Sequence, residues 1–264
     1  MRRNLPIVLS YLTLFLTMAP SAFAAPSHEP ETYTRLTLAA GGYYYAGNLN
    51  QLQGNIQGHL GLSSPTFGAD VLTNGYRLWT KSSRDADYQR VGDDFYVTAL
   101  PFWYFTPQLY LAGVGRYESS RVLQLEHRLV TGTGLGIAPV RTKEWLIRVA
   151  VLPSFEWAEF PNSNFRSGVE HSGVHRQVFR AAIISNGWYR PKNGALSYRY
   201  FAQLWPNALD LDDIRANIVA NMDFRITDPI SFRFSGLFTY DNSILQGREN
   251  FDLRSTFGLA FKML

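Results

Sequence analysis

The sequence predicts an all-β fold, an antiparallel up-and-down transmembrane β-barrel of about 12 strands, with roughly 10 to 14 compatible with the pattern. Three observations predict it. From Phe251 to Met263, Phe251, Leu253, Phe257, Leu259, Phe261 and Met263 alternate with Asp252, Arg254, Thr256, Gly258, Ala260 and Lys262, giving one apolar and one polar face. The same period of two recurs upstream at the short spacing of an up-and-down sheet. The connections between these segments are short on one side and longer on the other, as at the periplasmic and extracellular ends of an outer-membrane barrel.

Residues 1–24 read as a cleaved secretory signal. Arg2 and Arg3 supply the positive start, Leu5 to Met18 is apolar, and Ala22-Phe23-Ala24 is a small-x-small cleavage site. A retained helix would need about 20 apolar residues, and Pro6, Ser10, Thr13, Thr17 and Pro20 interrupt this run. Residues 25–33 form a short N-terminal segment, too short for a plug domain, and 34–264 form one barrel domain. No later segment is an uninterrupted apolar helix span, so insertion after export is by strands. The chain contains no cysteine, which removes disulfide scaffolds, thiol catalysis and thiolate metal sites.

The first strand is read from Leu36, Leu38, Ala40, Gly42 and Tyr44 against Arg35, Thr37 and Tyr43. Less regular strands are expected at 50–62, 66–80, 94–105, 108–118, 121–138 and 174–189. From Trp145, the residues Trp145, Ile147, Val149, Val151, Pro153 and Phe155 oppose Arg148, Ala150, Ser154 and Glu156. That length crosses about 25 Å of membrane once tilted and puts an aromatic at each interface; Pro153 is expected near a strand end or bulge. Leu196 to Leu204, Ile214 to Thr227 and Ile230 to Asp241 alternate cleanly. Short turns are expected at Ser63-Ser64-Pro65, Thr106-Pro107, Arg141-Thr142-Lys143, Lys192-Asn193-Gly194 and Asp228-Pro229, and long loops at 82–93 and 161–173.

Several segments resemble the salt-induced outer-membrane protein family, barrels of uncharacterised function from Gram-negative bacteria. The likeness rests on Gly41-Gly42 to Asn50, on Trp205-Pro206-Asn207, on Ile226-Thr227-Asp228-Pro229-Ile230, on Tyr240-Asp241-Asn242 and on Asp252 to Phe261. The family usually closes on an aromatic, whereas Lys262, Met263 and Leu264 follow Phe261 here. The resemblance implies a barrel in the outer membrane and brings no catalytic residues.

Candidate chemistry is sparse. Ser185-Asn186-Gly187 matches part of the His-x-Ser-Asn-Gly motif of outer-membrane phospholipases, but Ile183 stands where the histidine base belongs. His175 lies about 33 Å away along an extended strand. The reading is therefore not an enzyme, with an outer-leaflet lipid hydrolase as one alternative and a surface receptor or adhesin using the long loops as another. His171 and His175 with Glu170 fall in a long loop, read as solvated and not as a metal site. Gly132, Gly134 and Gly136 share one strand face and read as a thin wall or bend. No metal or cofactor is expected.

Net charge is +4 and falls further when Arg2 and Arg3 leave with the signal, so no nucleic-acid partner is implied. The basic residues are almost all arginine, the residue suited to buried ion pairs and phosphate contacts. The polar face is expected to line the lumen with Arg35, Arg128, Arg148, Arg199, Arg215, Arg225, Arg233 and Arg254, together with Glu126, Glu156, Asp223 and Asp252. Such groups either line a small-solute or ion path, with mild anion preference, or lock together and fill a structural barrel. The expected partners are outer-membrane lipid, lipopolysaccharide and the outer-membrane assembly machinery.

Overall fold

The computed structural model describes residues 32–45, 50–81, 87–121, 123–160, 175–192, 194–242 and 251–263. The expected signal segment, most of 25–33 and the loop carrying Glu170 and His171 lie outside the described residues, as does 82–86. Twelve strands form one closed antiparallel barrel: β1 (Tyr33–Tyr45), β2 (Asn50–Ser63), β3 (Phe67–Lys81), β4 (Gln89–Tyr104), β5 (Leu109–Ser120), β6 (Leu125–Arg141), β7 (Trp145–Glu159), β8 (His175–Tyr189), β9 (Leu196–Pro206), β10 (Ile214–Arg225), β11 (Ile230–Asp241) and β12 (Phe251–Met263). Every strand pairs with its sequence neighbour, and β1 closes on β12 from Leu36↔Met263 to Gly41↔Gly258. The seam needs glycine: a Cβ on Gly258 would lie 2.1 Å from the Ala40 carbonyl oxygen, and one on Gly41 2.4 Å from that of Phe257.

Alternation sets the two faces of each strand. Ile56, Trp103, Leu135, Phe179, Leu253 and Phe257 face outward and are exposed, while the residues between them point into the barrel. Strands of 11 to 17 residues exceed the roughly 9 to 11 that a tilted span requires, so the barrel projects beyond the hydrocarbon. Aromatics mark the two rims of the outward face. Phe67, Trp103 and Phe105 are exposed near the short turns, where Trp145 also stacks on Tyr189 at 4.2 Å; Phe95 meets Tyr117 near the other rim.

Three short turns use one device. Ser64, Thr106 and Thr142 each accept a hydrogen bond on the side-chain hydroxyl from the backbone N–H three residues on, at 3.0, 2.9 and 2.9 Å. Arg141 ties two of these turns together, donating to the carbonyls of Ser64, Pro65 and Pro107 with its guanidinium 3.7 Å over Tyr104. The turn after β8 closes through Gly194 at φ +61°, a conformation that favours glycine.

The structure moves some boundaries. β4 starts at Gln89, five residues before the expected strand, because Asp93 on β4 pairs across to Arg77 and the ladder bulges between Leu78 and Trp79. β6 runs from Leu125 through Pro139 to Arg141 by way of an irregularity between Ile137 and Val140. Pro153 is inside β7, not at its end. The β6–β7 ladder skips from Gly132↔Ser154 to Leu135↔Val151 beside it, and the β4–β5 ladder likewise skips beside Pro101, so each ring without an N–H sits where the ladder on one side is interrupted. Gly136 makes room for an inward aromatic, since a Cβ would sit 2.3 Å from the Tyr110 ring.

Ile56 is 68 % exposed at the centre of β2. Ile56→Arg should cost about 2–4 kcal/mol in lipid, and Phe67→Arg at the rim about 0–1 kcal/mol. Urea titration of the folded fraction in phospholipid vesicles checks this, and equal costs would contradict the assigned depth.

Candidate functional site

The inward residues form three levels: a charged layer toward the long-loop end, an apolar and aromatic waist, and a second charged layer toward the short turns. The waist comes from strands whose inward positions are apolar, including Leu100 and Phe102 on β4, Tyr110 on β5, Leu152 on β7, Ile184 on β8 and Phe201 on β9, all buried.

Glu156 centres the outer layer. It is fully buried and meets three guanidiniums: Arg180 Nε donates to Oε2 at 2.5 Å, Arg215 Nη2 lies 2.6 Å from Oε2, and Arg128 Nε lies 3.5 Å from Oε1. Arg180 also donates to the Trp205 carbonyl at 2.9 Å and to both Asp213 carboxylate oxygens at 3.2 Å. Asp213 accepts from Arg176 as well. Arg128 continues to Asp241 at 3.0 Å and to Glu118 at 3.6 Å. Arg116 reaches Glu118, Thr98 and Gln203 and stacks 4.4 Å over Tyr96. Five arginines therefore share four carboxylates, nearly in balance. Beside this network Arg116, Arg128, Arg215 and Asp241 border a cavity of about 20 Å³, room for about one water.

A side cluster lies on the wall near β12. Arg254 pairs with Asp252 and Asp94, 3.9 Å over the Tyr76 ring, and Ser120 donates to Asp94 at 2.5 Å.

The layer near the short turns is built differently. Asp70 accepts from Arg148, and its other oxygen lies 2.8 Å from His59 Nε2. Arg199 Nη1 stands 2.6 Å from His59 Nδ1. Because a guanidinium only donates, Nδ1 accepts and Nε2 carries the proton that goes to Asp70. Asp223 takes Arg233 as a bidentate pair at 2.6 and 2.9 Å, with Lys262 at 3.7 Å.

Of the residues expected on the lumen face, the structure joins Arg128, Arg215 and Glu156 in the outer layer and Arg254 with Asp252 on the side wall. Arg148, Arg199, Arg233, Asp223 and the half-buried Arg35 fall in the other layer. Glu126 and Arg225 differ: both are exposed, because they sit at strand ends where alternation outlasts the barrel's cover. Sequence reasoning missed His59, Asp70, Arg116, Glu118, Arg176, Arg180, Asp213 and Asp241. Their signal was the shared strand parity of, for example, Arg176, Val178, Arg180, Ala182 and Ile184 on β8.

Ser185 faces outward, and its hydroxyl lies 3.1 Å from the Tyr200 hydroxyl. Among the described residues no histidine is bonded to it, and His59 is inside the barrel. No group of three His, Asp or Glu suited to a metal ion occurs among the described residues.

Residues 38–263 match the family described as "Protein of unknown function, DUF481". The chain belongs to this family. No curated protein matches the sequence. Among solved structures, this DUF481 barrel is similar to the NanC porin, at 10 % identity and TM-score 0.47, over 86 % of this chain and 100 % of that one. It is similar to the KdgM porin in complex with disordered oligogalacturonate, at 9 % and 0.40, over 87 % and 99 %. The translocator domain of the autotransporter NalP from Neisseria meningitidis matches at 10 % and 0.37, over 97 % of each chain.

Glu156→Gln in this DUF481 barrel removes the charge that three guanidiniums share. It should destabilise the fold by about 3–5 kcal/mol, since a broken buried pair leaves uncompensated charge. Arg77→Ala, at an exposed pair with Asp93, should change stability by about 0–1 kcal/mol. Unfolding of both variants in vesicles gives the comparison, and a Glu156→Gln cost no larger than that of Arg77→Ala would mean the network is not holding the barrel.

Proposed function

We propose that the protein is a bacterial outer-membrane barrel with a closed interior, a structural barrel and not an open small-solute channel. The outward apolar belt with aromatic rims supports membrane insertion. The strand length and the short turns gathered on one side support the outer membrane, with those turns in the periplasm. The observation that carries the closed reading is the burial of inward side chains around the wall, with Thr37 on β1, Asp241 on β11 and Ala260 on β12 as buried as those on β4 to β8. Thr98, Val130, Leu152, Glu156, Arg180 and Ala182 are all fully buried. A water-filled lumen would leave such residues wet, as in wider porins.

On this reading Arg215 serves Glu156 and does not line an ion path. The lipid-hydrolase alternative loses support from the Ser185–Tyr200 contact, which supplies no general base.

Refolded protein in a planar bilayer with a salt gradient tests the proposal. The expected record is a flat baseline from a protein that is folded by its heat-modifiable gel mobility. Reproducible conductance steps, with a reversal potential that moves in Arg215→Ser, would replace the closed barrel with an anion-preferring channel.

A further inference from the structure

The periplasmic layer has more cations than it can pair. Its two buried carboxylates are committed: Asp70 to Arg148 and His59, and Asp223 to Arg233 and Lys262. Arg35, Arg190 and Arg199 are left, and among the described residues none of the three has a carboxylate partner. They lie close enough to act on one another as like charges, Arg190 on both Arg35 and Arg199, and Arg199 on Arg35 and Arg233. All three are half-buried. Leaving several desolvated positive charges together is costly unless a counter-charge joins them.

Among the orphaned hydrogen-bonding atoms at this end are two donors. Arg199 Nε and Trp188 Nε1 are buried without an acceptor, although buried polar groups are nearly always satisfied. The guanidiniums are also positioned. Arg199 is held at Nη1 by the Asp70–His59 relay, leaving Nε free. Arg190, in the turn after β8, lies 4.2 Å over Trp188 and 5.9 Å from the Tyr33 ring, with its backbone N–H donating to the Glu144 carbonyl at 2.8 Å. Burial, then the charges of Arg35 and Arg199, push the Arg190 guanidinium below its ordinary pKa, against smaller opposing effects of Tyr33 and Asp70. Planar guanidinium forks with spare donors match phosphate and carboxylate oxygens.

We propose that the periplasmic mouth is a binding site for a small multivalent oxyanion, held by Arg35, Arg190 and Arg199 with the Trp188 indole N–H as an added donor. The chemistry is that of a phosphate or polycarboxylate group, carried by a soluble periplasmic molecule or by a phospholipid headgroup at the inner leaflet. The proposal takes from the preceding reading only the side of the membrane that the mouth faces. It does not require a closed interior, so conductance steps would overturn that reading and leave this one standing.

Calorimetric titration of refolded full-length barrel with pyrophosphate, at constant ionic strength set by sodium chloride, tests it. Saturable binding is expected, weakened roughly tenfold or more in Arg35→Gln and in Arg190→Gln, and unchanged in Arg77→Gln at the opposite end. Arg190→Lys keeps the charge without the fork and should also bind more weakly. Should these variants fail to show heat-modifiable folding, wild-type protein alone decides: pyrophosphate should raise its unfolding temperature beyond the effect of chloride at equal ionic strength. Absence of binding, a response no greater than that to chloride, or equal binding by wild type and the folded mouth variants would overturn the site. Repeating the titration in nanodiscs identifies the source. Phosphatidylglycerol that blocks pyrophosphate where phosphatidylcholine does not assigns the mouth to a headgroup, and binding unaffected by the lipid assigns it to a soluble anion.

Discussion

The carboxylate of Glu156 is the constraint on which the outer half of the barrel depends. It is fully buried, and it is shared by arginines from β6, β8 and β10. Arg180 then passes the connection on to Trp205 at the end of β9 and to Asp213 before β10. Five strands, β6 to β10, and one inter-strand connection are therefore tied through one group. Because strand side chains alternate with period two, a slip of one residue would turn Arg180 toward lipid and leave Glu156 short of a partner. The network thus fixes register as well as filling space. Whether it adds net stability over an apolar filling is a separate matter, since the desolvation of buried ions offsets much of their attraction.

The waist makes that network more consequential. Tyr110, Phe102 and Leu152 pack between the two charged layers. Charges on either side consequently interact in a medium less polar than water, where pairing is stronger and an unpaired group costs more. The aromatics also serve both layers directly: Arg148 lies 4.1 Å over Phe102 and Arg116 4.4 Å over Tyr96. The apolar waist is the hydrophobic core of this barrel, and it shares the work of holding the fold with these contacts and the closed ladder.

Much of this was legible in the alternation. On β10, β11 and β12 most inward positions are polar, Val219, Leu237 and Ala260 excepted, and the outward ones are largely apolar, so the pattern marked the strands and their faces, and with them Arg215, Arg233 and Arg254. On β8 both faces are rich in apolar residues, with Val178, Ala182 and Ile184 inside and Phe179 and Ile183 outside. The contrast that marks a face is weak there, which hid Arg176 and Arg180. Pairing was not legible at all. Period two says that a side chain points inward, but which carboxylate it meets depends on strand stagger around the wall; Arg128 finds Asp241 from 113 positions away. At the rims the parity continues after the barrel stops enclosing it, which is why Glu126 and Arg225 share a face with buried residues yet are exposed.

The same residue type is used to opposite effect at the two ends. In the outer layer the arginines are matched by carboxylates drawn from β5, β7, β11 and the connection before β10. In the layer near the short turns Arg35, Arg148, Arg190, Arg199, Arg233 and Lys262 face, among the described residues, only Asp70 and Asp223. The fold does not force that excess. Ser197 and Ser231 occupy inward positions there, and the Ser197 hydroxyl is 3.5 Å from the Lys262 ammonium. An aspartate at such a position would neutralise the layer without altering the strand pattern, yet the sequence keeps hydroxyls at both. A structural filling would be served better by balance, as the outer layer demonstrates. Among the described residues, unbalanced charge at the end that combines half-buried guanidiniums with orphaned donors is what supports the proposed oxyanion site.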